Sequence, residues 1–424
     1  MDCCRWSIVI FSLLLFGWGC NPGERLHPAE PVSFMLSWQS DPTSTMTIDW
    51  YPQDRRASYL EYRKKGDQEW HMEEGRFIEI PGVNRNLQRL ELTGLMPDQL
   101  YEFRFSGEDP VYMFRTMPDE LNRPIRFVAG GDMLHTTEWM RNTAMSVMRI
   151  MRATNMGREE LDFAVIGGDL AYSDGEARKI GRWYDYFRIW SEVMVTSEGR
   201  VIPHLAAIGN HEVKRAFIHN YPFQEYNNPD FRIREAPYFS TFIPFPGDEG
   251  YGVLDFGDYL SLFLLDSQHT SFVEGDQSEW LERALYERRH VRHLIPVYHV
   301  AAWPSARKLE SYVETLVREN WVPLFEEYGV RLAFEHHDHT YKRTHPIRNH
   351  QVDETGIYYI GDGAWGVRTR PIRVDEDGNP PWYIANADSI RHFILGEIDG
   401  DQIRLRMYDE DGQPIDQLDI DPVR

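Results

Sequence analysis

The stretch IRFVAGGD, residues 125–132, is apolar until two glycines deliver the chain to a carboxylate, Asp132. The same kind of ending returns four times downstream. FAVIGGDLAY (163–172) carries Asp169 and Tyr172, and LAAIGNHE (205–212) carries Asn210 and His211. LIPVYH (294–299) ends on His299, and VRLAFEHHDH (330–339) ends on His336, His337, Asp338 and His339. Continuous apolar runs of this kind read as strands buried on both faces. The carboxyl ends of such strands converge on one crevice, where ligands bind. The glycines before Asp132, Asp169 and Asn210 fit tight turns that bring backbone close to a ligand.

Between these runs lie amphipathic stretches at helical spacing: Glu138–Thr154, Ala177–Val195, Ser278–Arg289 and Leu309–Tyr328. Strands alternating with helices predict an α/β region from residue 123 to 424. Met140, Val147, Met148 and Met151 form a stripe on the first helix and read as core. Residues 31–117 follow a different grammar. Short strands such as Met46–Tyr51, Tyr59–Lys64 and Tyr112–Thr116 are separated by turn residues, without helical periodicity. They predict an all-β sandwich. Gly94-Leu95-Met96-Pro97 followed by Tyr101-Glu102-Phe103-Arg104 resembles the corner of a fibronectin type III domain. A length of 424 residues agrees with two domains.

All three cysteines, Cys3, Cys4 and Cys20, lie in the first twenty residues. There Arg5 precedes an apolar run, Ile8–Phe16, too short for a membrane span and shaped like a secretory signal. Gly19-Cys20 resembles a bacterial lipobox with Cys20 as the lipidated residue, although Gly17 and Trp18 depart from its usual residues. The expectation is a signal at 1–20, a linker at 21–30, and export to the cell envelope, periplasm or medium. Membrane contact is expected only through that lipid. A formal net charge of −22 excludes a broad nucleic-acid surface but not a phosphate substrate, since metal ions invert the local field.

Each ending alone has a plain explanation. Asp or Asn after a strand caps turns and helices, a buried His is usually a hydrogen-bonded core residue, and Tyr packs. Five together point to a metal site. Carboxylate, amide, phenol and imidazole without thiolate suit iron, manganese and zinc. Two ions roughly 3.5–4 Å apart can clamp the attacking and leaving oxygens of a displacement at phosphorus. One ligand must bridge them, and Asp169 is central in the set.

The series Asp132, GDLAY (168–172), GNHE (209–212), His299 and HDH (337–339) resembles the five motifs of the purple acid phosphatases, which are calcineurin-like metallophosphoesterases. The resemblance implies a fibronectin-like domain ahead of a two-sheet αββα catalytic domain. It implies a ferric ion held by Asp132, Asp169, Tyr172 and His339. A divalent ion (zinc, manganese or iron) would be held by Asp169, Asn210, His299 and His337. His211 would contact substrate or developing charge. The implied activity is hydrolysis of phosphate monoesters by a metal-bound hydroxide. A phosphodiesterase on the same centre, or an inert envelope binding protein, are the alternatives. His336 stands where the family usually has glycine, and Leu134 where it often does. The stretch VAAWPSARK (300–308) lacks the histidine pair of plant relatives. The general acid is therefore open among His211, His135, His269 and His336.

Overall fold

Along the strand Ile125–Gly130, alternate side chains enter two different cores. Phe127 and Ala129 join a buried layer with Val297 and Phe334, while Val128 turns into another with Met140 and Val147. A strand buried on both faces needs a layer on each side. The computed structural model describes residues 33–51, 59–105, 110–154, 160–226, 230–247 and 250–421. Cys20 and the expected signal and linker lie outside the described residues.

Two sheets stack in the α/β region. One runs His204–Ala206, Phe163–Ile166, Ile125–Gly130, His392–Asp399, Gln402–Asp409, Pro414–Ile420, with the first three strands parallel. The other runs Gly252–Phe256, Leu260–Leu264, His293–Val300, Leu332–His336, Tyr358–Gly361, Tyr341–Thr344, Ile384–Asp388. Its second to fifth strands are mutually parallel. Phe127 meets Phe334 edge-on between the sheets, with centroids 6.0 Å apart. Helices Thr137–Thr154 and Gly181–Val193 cover the outer face of the first sheet. Helices Asp276–Glu287, Tyr312–Asn320 and Val322–Glu327 cover that of the second. The result is the expected αββα order. The methionine stripe is core, with Met140 and Val147 fully buried.

Ahead of it stands an all-β sandwich of two antiparallel four-stranded sheets. Phe34 and Trp50 from one sheet meet Phe103 and Phe105 from the other. The sandwich is packed onto its neighbour rather than held at a distance. Trp38 lies edge-on to Phe163 and Phe256, and Tyr51 sits among Tyr184, Phe187 and Phe242. Residues 32–424 form one compact unit.

Two predicted helices differ in detail. Ala177–Val195 is a short turn, Ala177–Lys179, followed by the helix Gly181–Val193. Leu309–Tyr328 breaks after Asn320 because Pro323 cannot donate an intrahelical hydrogen bond and restarts the helix at its first turn. Among the described residues no helix is long and apolar enough to cross a membrane.

Candidate metal centre

Parallel strands bring the five endings to one side of the two sheets. Asp132, Asp169, Tyr172 and Asn210 follow strands of the first sheet, whereas His299 lies within, and His337 and His339 just beyond, strands of the second. At Asp132, Asp169, Tyr172, His337 and His339 the backbone is left-handed, with φ of 55°, 54°, 54°, 80° and 60°. Non-glycine residues rarely adopt this conformation, and each one costs on the order of 1 kcal/mol. Such bends persist where surrounding structure over-determines them, and here they turn five side chains into one crevice.

The side chains form two groups that share one residue. Asp132 Oδ1 accepts the Tyr172 hydroxyl at 2.9 Å and lies 2.9 Å from His339 Nε2. His299 Nε2 lies 3.1 Å from His337 Nδ1, 3.2 Å from Asn210 Oδ1 and 3.3 Å from Asp169 Oδ2. Asp132, Asp169 and His339 are near enough to hold one cation, and Asp169, His299 and His337 another. Asp169 is common to both. Its Oδ1 accepts the His211 N–H at 2.8 Å, and its Oδ2 is buried with His299 Nε2 at 3.3 Å as its neighbouring donor and no geometrically good hydrogen bond among the described residues. A buried carboxylate oxygen left so is costly unless a cation takes it.

Other features fit metal. His299 Nδ1 donates to the Gly167 carbonyl at 2.8 Å, and His339 Nδ1 lies 3.1 Å from the Arg368 carbonyl. Such contacts fix the ring so that the opposite nitrogen faces inward. Burial alone would depress His299, yet the carboxylates of Asp169 and Asp132 lift it to about 9, which marks a pocket that favours cations. Burial and the same two carboxylates keep the Tyr172 hydroxyl protonated well above its ordinary range. Only a cation there would draw out the phenolate.

Residues behind the centre explain its shape, and Glu212 is the one that sequence reasoning passed over. Its buried carboxylate accepts the N–H groups of Gly209, Asp169 and Leu170 at 2.8, 2.8 and 2.9 Å, tying two ligand loops together. The signal was its place in GNHE. His211 is half-exposed, and its Nδ1 lies 2.5 Å from Asp174 Oδ1. Its ring lies over Tyr172, with centroids 4.4 Å apart. His135 flanks the other side of Tyr172, at 4.5 Å, and accepts the Arg368 N–H.

The remaining two general-acid candidates are placed differently. His269 is fully buried, with its nitrogens 2.9 Å from the Ala216 carbonyl and 3.1 Å from Ser267 Oγ. His336 does not crowd the ligand loop. It is buried in its strand with Nδ1 at the Tyr298 carbonyl, and its ring occupies space left by two glycines. A Cβ at Gly131 would lie 2.4 Å from that ring, and one at Gly167 only 1.8 Å from it. Asp338 also turns away. Its Oδ2 accepts the N–H groups of Ala306 and Arg307, at 2.6 and 3.1 Å.

Residues 31–116 match the family model described as purple acid phosphatase, N-terminal domain. Residues 127–341, half of the chain, match that of the calcineurin-like phosphoesterases. The chain belongs to the purple acid phosphatase family. Purple acid phosphatase 18 of Arabidopsis thaliana is 23% identical, over 92% of this chain and 87% of its own. Acid phosphatase type 7 of Homo sapiens is 24% identical, over 97% and 95%. The solved purple acid phosphatase PPD1 from yellow lupin (Lupinus luteus) seeds shares the fold, with a TM-score of 0.74 and 18% identity. That alignment covers 92% of this chain and 74% of the other. As a family member the chain is a phosphoric ester hydrolase with a binuclear metal centre.

Proposed function

We propose that this chain hydrolyses phosphate monoesters outside the cytoplasm, with Asp132, Asp169, Tyr172 and His339 holding a ferric ion. Asp169, Asn210, His299 and His337 hold a divalent ion, which is zinc, manganese or iron. The observation that carries this reading is Asp169, fully buried and shared by two groups of side chains each able to hold a cation. The tyrosine in the first group favours iron, and the absence of thiolate in either excludes a soft metal.

When bound, the ions supply Lewis acidity to the phosphoryl oxygens and lower the pKa of water. The protein supplies the rest. Asp169 offsets the repulsion of two cations held close together. Tyr172 and Asp132 neutralise charge on the side remote from His299. His211 donates to a phosphoryl oxygen as charge develops there, a role supported by its contact with Asp174 and its partial exposure. Of the four general-acid candidates only His211 and His135 keep partial exposure beside Tyr172. Export is supported by Arg5 and the apolar run Ile8–Phe16, and lipid attachment at Cys20 by the preceding Gly19.

The purified mature chain should contain two metal ions, one of them iron, and release phosphate from monoesters faster than from diesters. A chain with both sites filled that cleaves neither class would end the enzymatic reading. Faster cleavage of diesters would move it to the phosphodiesterases.

A further inference from the structure

Next to His337 a cavity of about 420 Å³ opens to solvent. One wall is aromatic. Phe217 lies edge-on to His337 with centroids 6.3 Å apart, His219 stacks on Phe217 at 5.4 Å, and Tyr312 meets His219 edge-on at 5.0 Å. Arg307 and Lys308 also line the cavity. Arg307 Nε makes an ion-pair contact with Asp338 Oδ1 at 3.2 Å, while the side chain stays 34% exposed. Lys308 is exposed, and its ammonium has no ion-pair partner among the described residues. Glu314 also lines the cavity, but burial pushes its carboxyl up to about 7, which weakens its opposition to an anion. In a chain of net charge −22, the lining of this cavity beside the metal centre carries, among the described residues, Lys308 without an ion-pair partner and Arg307 paired only with the buried Asp338.

We infer that this cavity receives the leaving group of the substrate, and that Arg307 and Lys308 bind a second anionic group on it, a phosphate or a carboxylate. The substrate class is thus a phosphate ester with a second negative charge and a flat or apolar spacer that lies along Phe217, His219 and Tyr312. Cations against an anion in a partly desolvated cleft make charge-assisted hydrogen bonds, stronger than neutral ones. The inference rests on the phosphoesterase reading, since the cavity adjoins the metal centre through His337, which lines both.

The test uses the metal-loaded protein and non-hydrolysable probes, with binding measured by calorimetry. Para-phenylene bisphosphonate should bind at least about tenfold more tightly than phenylphosphonate. Para-carboxyphenylphosphonate shows whether a carboxylate serves as well as a second phosphoryl group. Lys308→Ala should bring the ratio close to one, and Lys308→Arg should preserve it. Equal binding of the mono- and bis-anionic probes by the wild type, or a ratio unchanged in Lys308→Ala, overturns the inference. In either case tight binding of phenylphosphonate leaves the phosphoesterase reading intact. Binding of no phosphonate by a protein with both ions present overturns the two together.

Discussion

Asp169 is the residue on which most depends. Asp169→Asn keeps the size but removes the charge that reconciles two neighbouring cations. At least one ion should be lost, and monoester hydrolysis should fall by at least about a thousandfold, about 4 kcal/mol of transition-state stabilisation. Metal analysis with steady-state kinetics checks this; two ions and near-normal turnover in the variant would remove Asp169 from its bridging role. Tyr172→Phe separates colour from catalysis. A phenolate on ferric iron absorbs visible light, so the variant should lose that band while keeping much of its activity. Asp338 is the contrast. It is fully buried and holds the loop at Ala306 and Arg307. Asp338→Ala should keep both ions but cost roughly 2–3 kcal/mol of stability, read from denaturant unfolding, because two backbone donors lose their acceptor. Loss of metal in that variant would mean that Asp338, not its neighbours, faces the centre.

At the level of elements, the ligand loops after Ile125–Gly130 and Phe163–Ile166 owe their closeness to a slot filled from the facing sheet. The ring of His336 lies where side chains at Gly131 and Gly167 would stand. Gly167→Ala should therefore destabilise the fold, and the backbone at this position does not itself demand glycine. His336→Ala alone leaves a cavity. The double variant Gly167→Ala with His336→Ala should be more stable than the sum of the two losses predicts. The expected coupling is at least about 1 kcal/mol, measured in a double-mutant cycle. Strict additivity would show that ring and glycine do not share this space. The glycines therefore serve the fit between the sheets, since both leave room for the ring of His336.

For the whole molecule, the sandwich and the catalytic region share a core. Arg89 and Asp49 form a buried pair, with contacts of 2.8 and 2.6 Å, and the Arg89 guanidinium also donates to the Thr241 carbonyl at 3.0 Å. Asp49 and Arg89 belong to the sandwich strands, and Thr241 to a helix of the catalytic region. Arg89→Ala leaves a buried carboxylate alone and should cost about 3–5 kcal/mol. Calorimetry should show one transition for wild type and variant, shifted downward in the variant. Two separate transitions would mean that the sandwich folds independently of its neighbour. Metal removal acts on the same scale. Ions that bind only the folded state stabilise it by mass action, so chelation should lower the melting temperature and re-addition of metal should restore it.

The sequence by itself determined the strands of the catalytic core and the residues that close the centre. Both signals are local: an apolar run marks a strand buried on two faces, and a chemistry-bearing side chain after a glycine turn marks its end. Asp132, Asp169, His299, His337 and His339, which the fold brings together, follow or end such runs, and the resemblance to a known motif series, not the local signal, joined Tyr172 and Asn210 to them. The hairpin His392–Asp399 with Gln402–Asp409, which continues the sheet from Ile125–Gly130, was not singled out. Only one face of its second strand is buried, through Ile403, Leu405 and Met407, and charged residues between them dilute the apolar signal. What only the tertiary structure decided concerns residues that act across sequence distances. His336 reads as a metal-capable side chain and is a spacer, because its partners Gly131 and Gly167 lie far from it in the chain. Glu212 reads as one residue of a motif and is a clasp, because the N–H groups it accepts are supplied by two different loops. Arg307 and Lys308 read as an ordinary basic pair. Only the fold brings them into the lining of one cavity with Phe217, His219 and Tyr312. Strand propensity acts between neighbours in sequence, whereas burial, orphaned oxygens and cavities exist only once distant segments have been packed together.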